Sequence, residues 1–79
     1  MSKVVVYTTD TCPYCFAAKK LLQSKKVAFE EIDVTGDDAM REKLLQMSGQ
    51  MTVPQIFVDG KSIGGYEELV ETYRSGKVL

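Results

Sequence analysis

Histidine is absent from this 79-residue chain, and cysteine occurs only at Cys12 and Cys15. Two cysteines three positions apart cannot staple distant parts of a secreted fold. A four-ligand zinc site calls for Cys and His in two pairs, and the second pair is missing, so no metal is expected. A redox pair or two incidental thiols remain, a free cysteine commonly being a small buried hydrophobe. Charge of one sign is also lacking: ten basic and eleven acidic residues leave a formal charge of −1. No basic stripe or like-charge run is present, which argues against a nucleic-acid partner. Long apolar runs are missing too. Val4-Val5-Val6-Tyr7 is far too short for a signal segment or a membrane span. A cytoplasmic location with no membrane partner is therefore expected.

No internal repeat or low-complexity tract interrupts the chain, and residues 1–79 are expected to form a single domain. A chain this short buries only about 60% of the surface its unfolded form exposes. With 44% apolar residues it can still build one core.

Lys3 to Thr8 reads as a strand buried on both faces, since its apolar residues do not strictly alternate. After the loop Thr9-Asp10-Thr11, a helix is expected with Cys12 as N-cap and Pro13 at its first position. At 100° per residue, Tyr14, Ala17, Ala18, Leu21 and Leu22 share its apolar face. Lys19, Lys20 and Gln23 share the other, and Phe16 falls with them. Val27 to Val34 reads as a second strand, and Thr35-Gly36-Asp37-Asp38 as a turn into a second helix ended by Gly49. The apolar stripe of that helix is Met40, Leu44 and Met47. Thr52 to Val58 is a strand entered through Pro54, and Asp59-Gly60 signals a hairpin to the short strand Lys61-Ser62-Ile63. Gly64-Gly65 opens a last helix that closes at Ser75-Gly76.

The element order is thus β-α-β-α-β-β-α. A helical crossover makes the first two strands parallel, and the hairpin makes the last two antiparallel. An α/β fold with a four-stranded mixed sheet covered by three helices is the economical solution. Cys-x-x-Cys beside a βαβ unit in a cytosolic protein is a thioredoxin-like redox motif.

At a helix N-terminus, unpaired backbone N–H groups and the positive end of the dipole stabilise an anion. Thiolate, not thiol, attacks disulfides, so Cys12 is the expected nucleophile. Cys15, one turn inward, is expected to remain a thiol until needed. Residues i and i+3 of a helix sit roughly 5–6 Å apart at Cβ, a little beyond disulfide geometry, so a small adjustment closes or opens the bond.

Cys12-Pro13-Tyr14-Cys15, Thr52-Val53-Pro54 and Gly64-Gly65-Tyr66-Glu67 resemble, in order and spacing, three signatures of the dithiol glutaredoxins, nearest to the short bacterial-type members. The resemblance covers essentially the whole chain. It implies a glutathione-disulfide oxidoreductase with glutathione as co-substrate and no permanently bound cofactor. It also implies monomeric action on glutathionylated or disulfide-bonded proteins, ribonucleotide reductase among the candidates. Cys12 would take glutathione from a protein mixed disulfide, and a second glutathione would regenerate it. For protein disulfides, Cys15 would resolve the intermediate.

The same resemblance places a cis Pro54 opposite Cys12 and has Val53 offer its backbone to glutathione. The amides of Tyr66 and Glu67, after Gly65, would receive the γ-glutamyl carboxylate. Tyr14, Gln50 and Thr52 complete the implied glutathione groove. Taken alone, Pro54 could be a plain strand-start proline and Gly64-Gly65 a plain turn. Tyr14 could be core, and Phe16 either a partner-docking residue or a tolerated surface aromatic. The chain departs from the family at Thr9 and Gln50, where basic residues commonly meet the glycyl carboxylate, and at Glu67, where Asp is usual. A glutathione-ligated iron–sulfur carrier and a redoxin reduced by thioredoxin reductase are the alternatives. Pro13 argues against the first, and the Pro13-Tyr14 pair against the second.

Overall fold

The computed structural model describes residues 3–49 and 53–76. Its elements are β1 (Val4–Thr8), α1 (Pro13–Ser24), β2 (Phe29–Asp33), α2 (Asp38–Ser48), β3 (Gln55–Val58), β4 (Lys61–Gly64) and α3 (Tyr66–Arg74). The sheet order is β2-β1-β3-β4. β1 runs parallel to β2, and β3 is antiparallel to both β1 and β4. This is the expected thioredoxin-like fold.

Val4 and Val6 of β1 meet Ala18 and Leu22 of α1, Ile56 of β3 and Leu69 of α3, and these six form the main core. Helices α1 and α3 thus share one face of the sheet. On the other face Met47 of α2 borders Val5, Tyr7 and Phe57, and the Tyr7 and Phe57 rings meet edge to face at 5.4 Å. One helix covers less than two. Consequently β1 alternates between buried Val4, Val6 and Thr8 and half-buried Val5 and Tyr7, instead of being buried on both faces.

The apolar face of α1 also differs from expectation. Its buried line is Cys15, Ala18 and Leu22, whereas Tyr14 is 60% exposed. Cys15 occupies the core position that the wheel assigned to its neighbour. Strand β2 starts two residues later than Val27, because Val27 lies in the turn that closes α1 after Ser24. Its N–H donates to the Leu22 carbonyl at 3.0 Å, and Lys26 turns the chain with φ +58°. Val34 lies beyond β2 but is buried, its N–H bonded to the Thr8 carbonyl at 2.8 Å.

Other local signals agree with the structure. Asp37 caps α2, its carboxylate accepting from the Met40 N–H at 3.0 Å. The two-residue hairpin turn has positive φ at both Asp59 and Gly60, as a type I′ turn requires.

Candidate active site

The carboxyl ends of β1 and β2 lie at one end of the sheet with the amino end of β3, since β3 runs the other way. Helix α1 begins there. Cys12 is its N-cap in extended conformation, with Pro13 following. The Cys12 Sγ accepts a hydrogen bond from the Cys15 N–H at 3.2 Å, so an otherwise orphan helix amide faces the sulfur. The same sulfur is 3.4 Å from the Val53 carbonyl oxygen, to which its S–H donates. Residues 53 and 54 therefore lie opposite Cys12, and the Val53–Pro54 peptide is cis.

The two cysteines, both free thiols, differ sharply in environment. Cys12 is partly exposed; Cys15 is only 1% exposed. Burial pushes the Cys15 thiol up to about 12, and its hydrogen bond with Cys12 adds to the rise. Cys15 is thus held protonated at neutral pH, as its place one turn inward suggested.

Beside Cys12 runs a groove of about 270 Å³ lined by Tyr14, Val53, Pro54, Gly65, Tyr66, Glu67 and Glu68. The Tyr14 and Tyr66 rings form one wall, 5.9 Å apart. Gly65 is needed there for closeness, since a Cβ on it would stand 3.2 Å from the Pro54 carbonyl oxygen. Gly65 also caps α3 without any side-chain hydrogen bond, so the first amides of α3 have no side-chain cap.

Six of the anticipated groove residues, Tyr14, Val53, Pro54, Gly65, Tyr66 and Glu67, are brought together in this way. Gln50 and Thr52 lie outside the described residues. Tyr14 is a groove wall and not core. Phe16 is 58% exposed, with the Lys20 ammonium 5.0 Å from its ring centroid. Glu68 was missed; a second acid in the first turn of α3 was its only signal. Also missed was a cluster beside Cys15. Glu31 accepts from Thr8 Oγ1 at 2.8 Å and from Lys19 Nζ at 2.9 Å. These contacts, Lys19 first and Thr8 second, hold the Glu31 carboxyl below its ordinary value.

A partly exposed cysteine at a helix N-cap, a buried thiol one turn behind it and a groove alongside make an arrangement suited to thiol–disulfide exchange on a thioredoxin-like fold. The comparisons with known proteins agree. The glutaredoxin family model matches residues 4–63. The chain is 51% identical over 69 residues to glutaredoxin 3 of Escherichia coli K12, covering 87% of this chain and 83% of that protein. It is 45% identical over 78 residues to a glutaredoxin of Pseudomonas aeruginosa, covering 99% and 93%. In structure it is similar to buckwheat glutaredoxin in complex with glutathione, with a TM-score of 0.90 at 37% identity over 96% of this chain and 72% of that one. The chain belongs to the glutaredoxin family, and it is a thiol–disulfide oxidoreductase.

Proposed function

We propose that the chain is a glutathione-dependent reductase of protein–glutathione mixed disulfides and of protein disulfides, acting as a cytoplasmic monomer with no permanently bound cofactor. The observation that carries this is the meeting of Cys12 Sγ with the Val53 carbonyl at 3.4 Å, beside a groove that ends at the uncapped start of α3. A glutathione sulfur on Cys12 would leave its cysteinyl backbone next to the extended Val53, which pairs with it as a short strand does. The γ-glutamyl carboxylate would reach the Tyr66 and Glu67 amides. Its ammonium would meet Glu67 and Glu68, the acids that line the same end. That the buckwheat relative was solved as a glutathione complex supports this placement.

In the first half-reaction the Cys12 thiolate attacks the glutathione sulfur of the mixed disulfide. The Cys12–glutathione bond forms, the protein's S–S bond breaks, and the departing thiolate takes up a proton. A second glutathione thiolate attacks the glutathione sulfur on Cys12, forming oxidised glutathione and restoring Cys12. With a protein disulfide, Cys12 forms the mixed disulfide with the protein; Cys15 attacks the Cys12 sulfur, the Cys12–Cys15 bond forms and the protein leaves as a thiol, and two glutathiones then reduce that bond, leaving as oxidised glutathione. Ribonucleotide reductase, which forms a disulfide in turnover, is a partner of the right chemical kind.

The test separates the two thiols. Cys12→Ser is expected to lose all transfer from a glutathionylated peptide. Cys15→Ser is expected to retain that activity and lose most reduction of a protein disulfide. Equal loss of both activities in Cys15→Ser would sink the assignment.

A further inference from the structure

We propose that Lys19 is a positioning residue for the second thiol: held by Glu31, which Thr8 fixes in turn, it supports the thiolate of Cys15 while Cys15 displaces a substrate from Cys12. The inference rests on the two-thiol sequence proposed above and names a group that serves only its second step.

Lys19 follows Cys15 by four positions on α1, so the two share a face one turn apart. The Lys19 ammonium is not left to wander there. Glu31 Oε2 lies 2.9 Å from it, and the same oxygen accepts the Thr8 hydroxyl at 2.8 Å. Thr8 is 1% exposed at the end of β1. One carboxylate oxygen therefore ties α1, β1 and β2 together beside the dithiol. As a stability device the pair is modest, because the Lys19 and Glu31 side chains keep 28% and 38% exposure, and such pairs typically contribute little.

Its effect on Cys15 is more specific. Burial disfavours the Cys15 anion, and two groups oppose that penalty: the backbone of Thr9, by a hydrogen bond, and the charge of Lys19. Thr9 is the residue next to Thr8. The Glu31 contact thus fixes the second of these groups, the Lys19 ammonium, close to the strand end that carries the first. Glu31 and Asp33 of β2 are the acids around Lys19; without the lysine, Glu31 would lose the cation that balances it.

In the step concerned, Cys15 gives its proton to water and its sulfur attacks the Cys12 sulfur of the mixed disulfide. The Cys12–Cys15 bond forms and the Cys12–substrate bond breaks. The substrate leaves as a thiolate and takes up a proton, so the dithiol is oxidised by two electrons and the substrate disulfide reduced by two. Cys12's own attack, and the removal of glutathione from Cys12 by a second glutathione, do not involve Cys15, and Lys19 should leave them alone.

The experiment uses the reduced protein and 5,5′-dithiobis(2-nitrobenzoate), a glutathione-free aromatic disulfide whose released thiolate is coloured. A first release reports attack by Cys12, and a second, concentration-independent release reports displacement by Cys15; Cys15→Ser should abolish the second alone. Lys19→Gln is expected to slow the second release by about fivefold while leaving the first within about twofold, the range of a partly exposed ion interaction. Lys19→Arg keeps the charge and should restore the second release. Circular dichroism of each variant reports folding separately, because the exposed thiols of an unfolded chain would also release the coloured thiolate. An unchanged second phase in Lys19→Gln, equal slowing of both phases, or failure of Lys19→Arg to restore the rate would overturn the role. A wild-type protein with both phases but no activity on a glutathionylated peptide would overturn the glutathione reading alone.

Discussion

The adjacent glycines Gly64 and Gly65 should respond to alanine in opposite ways. Gly64 has φ +106°, and a Cβ built on it would lie 2.7 Å from Glu68 Cγ and 2.9 Å from Glu68 Cβ. The second of these atoms cannot swing away, so the first turn of α3 must shift. Backbone strain at a positive φ costs about 1–3 kcal/mol, and overpacking adds about 1–3 kcal/mol. The sum is large against the roughly 4–12 kcal/mol expected for a chain of this length. Gly64→Ala should therefore melt at least about 8 °C lower. Gly65 has φ −97°, which any residue adopts. Its Cβ would meet only the Pro54 carbonyl oxygen at 3.2 Å and Glu68 Oε2 at 3.9 Å. Gly65→Ala should change stability by less than about 1 kcal/mol, since reduced freedom of the unfolded chain offsets the tight contact. It narrows the groove, however, and should raise the Michaelis constant for a glutathionylated peptide roughly three- to tenfold. Thermal melts by circular dichroism with steady-state kinetics on both variants decide the matter. A Gly64→Ala protein melting with the wild type would refute the steric reasoning. So would a Gly65→Ala protein destabilised as much as Gly64→Ala.

The Glu31 contacts make a pH-dependent contribution to stability. Its folded-state value is depressed, so the contribution is present above the ordinary glutamate value of about 4.3 and is lost as pH falls through the folded one. Glu31→Gln should therefore destabilise the protein at neutral pH by less than about 1 kcal/mol, the side chain being part-exposed, and the gap to wild type should close in strong acid; a gap constant with pH in urea titrations would contradict the assignment. Asp37→Ala removes the cap on the Met40 N–H and should cost about 0.5–2 kcal/mol, read as a lower urea midpoint with an unchanged slope.

Much of this protein was decided locally, and those parts were legible before any coordinates. Cys12-Pro13 announces a helix start because Pro has no N–H to lose at the first position. Asp59-Gly60 announces a hairpin because both residues tolerate positive φ. The helix-cap position of Cys12, the burial of Cys15 and the meeting of six groove residues followed from such local signals together with the three family signatures. Tertiary structure decided what depends on partners remote in sequence. Tyr14 faces the groove and not the core because Cys15, Ala18 and Leu22 make the buried line of α1. Val5 and Tyr7 stay half-buried because a single helix covers their face of the sheet. Lys19 meets Glu31, which also accepts the Thr8 hydroxyl, only because the crossover lays β2 beside β1 and packs α1 over them. A helical wheel shows Lys19 as an ordinary solvated charge, since it describes one element and its solvent. Which acid lies across the neighbouring strand is set by sheet register, and register is a property of the packed fold.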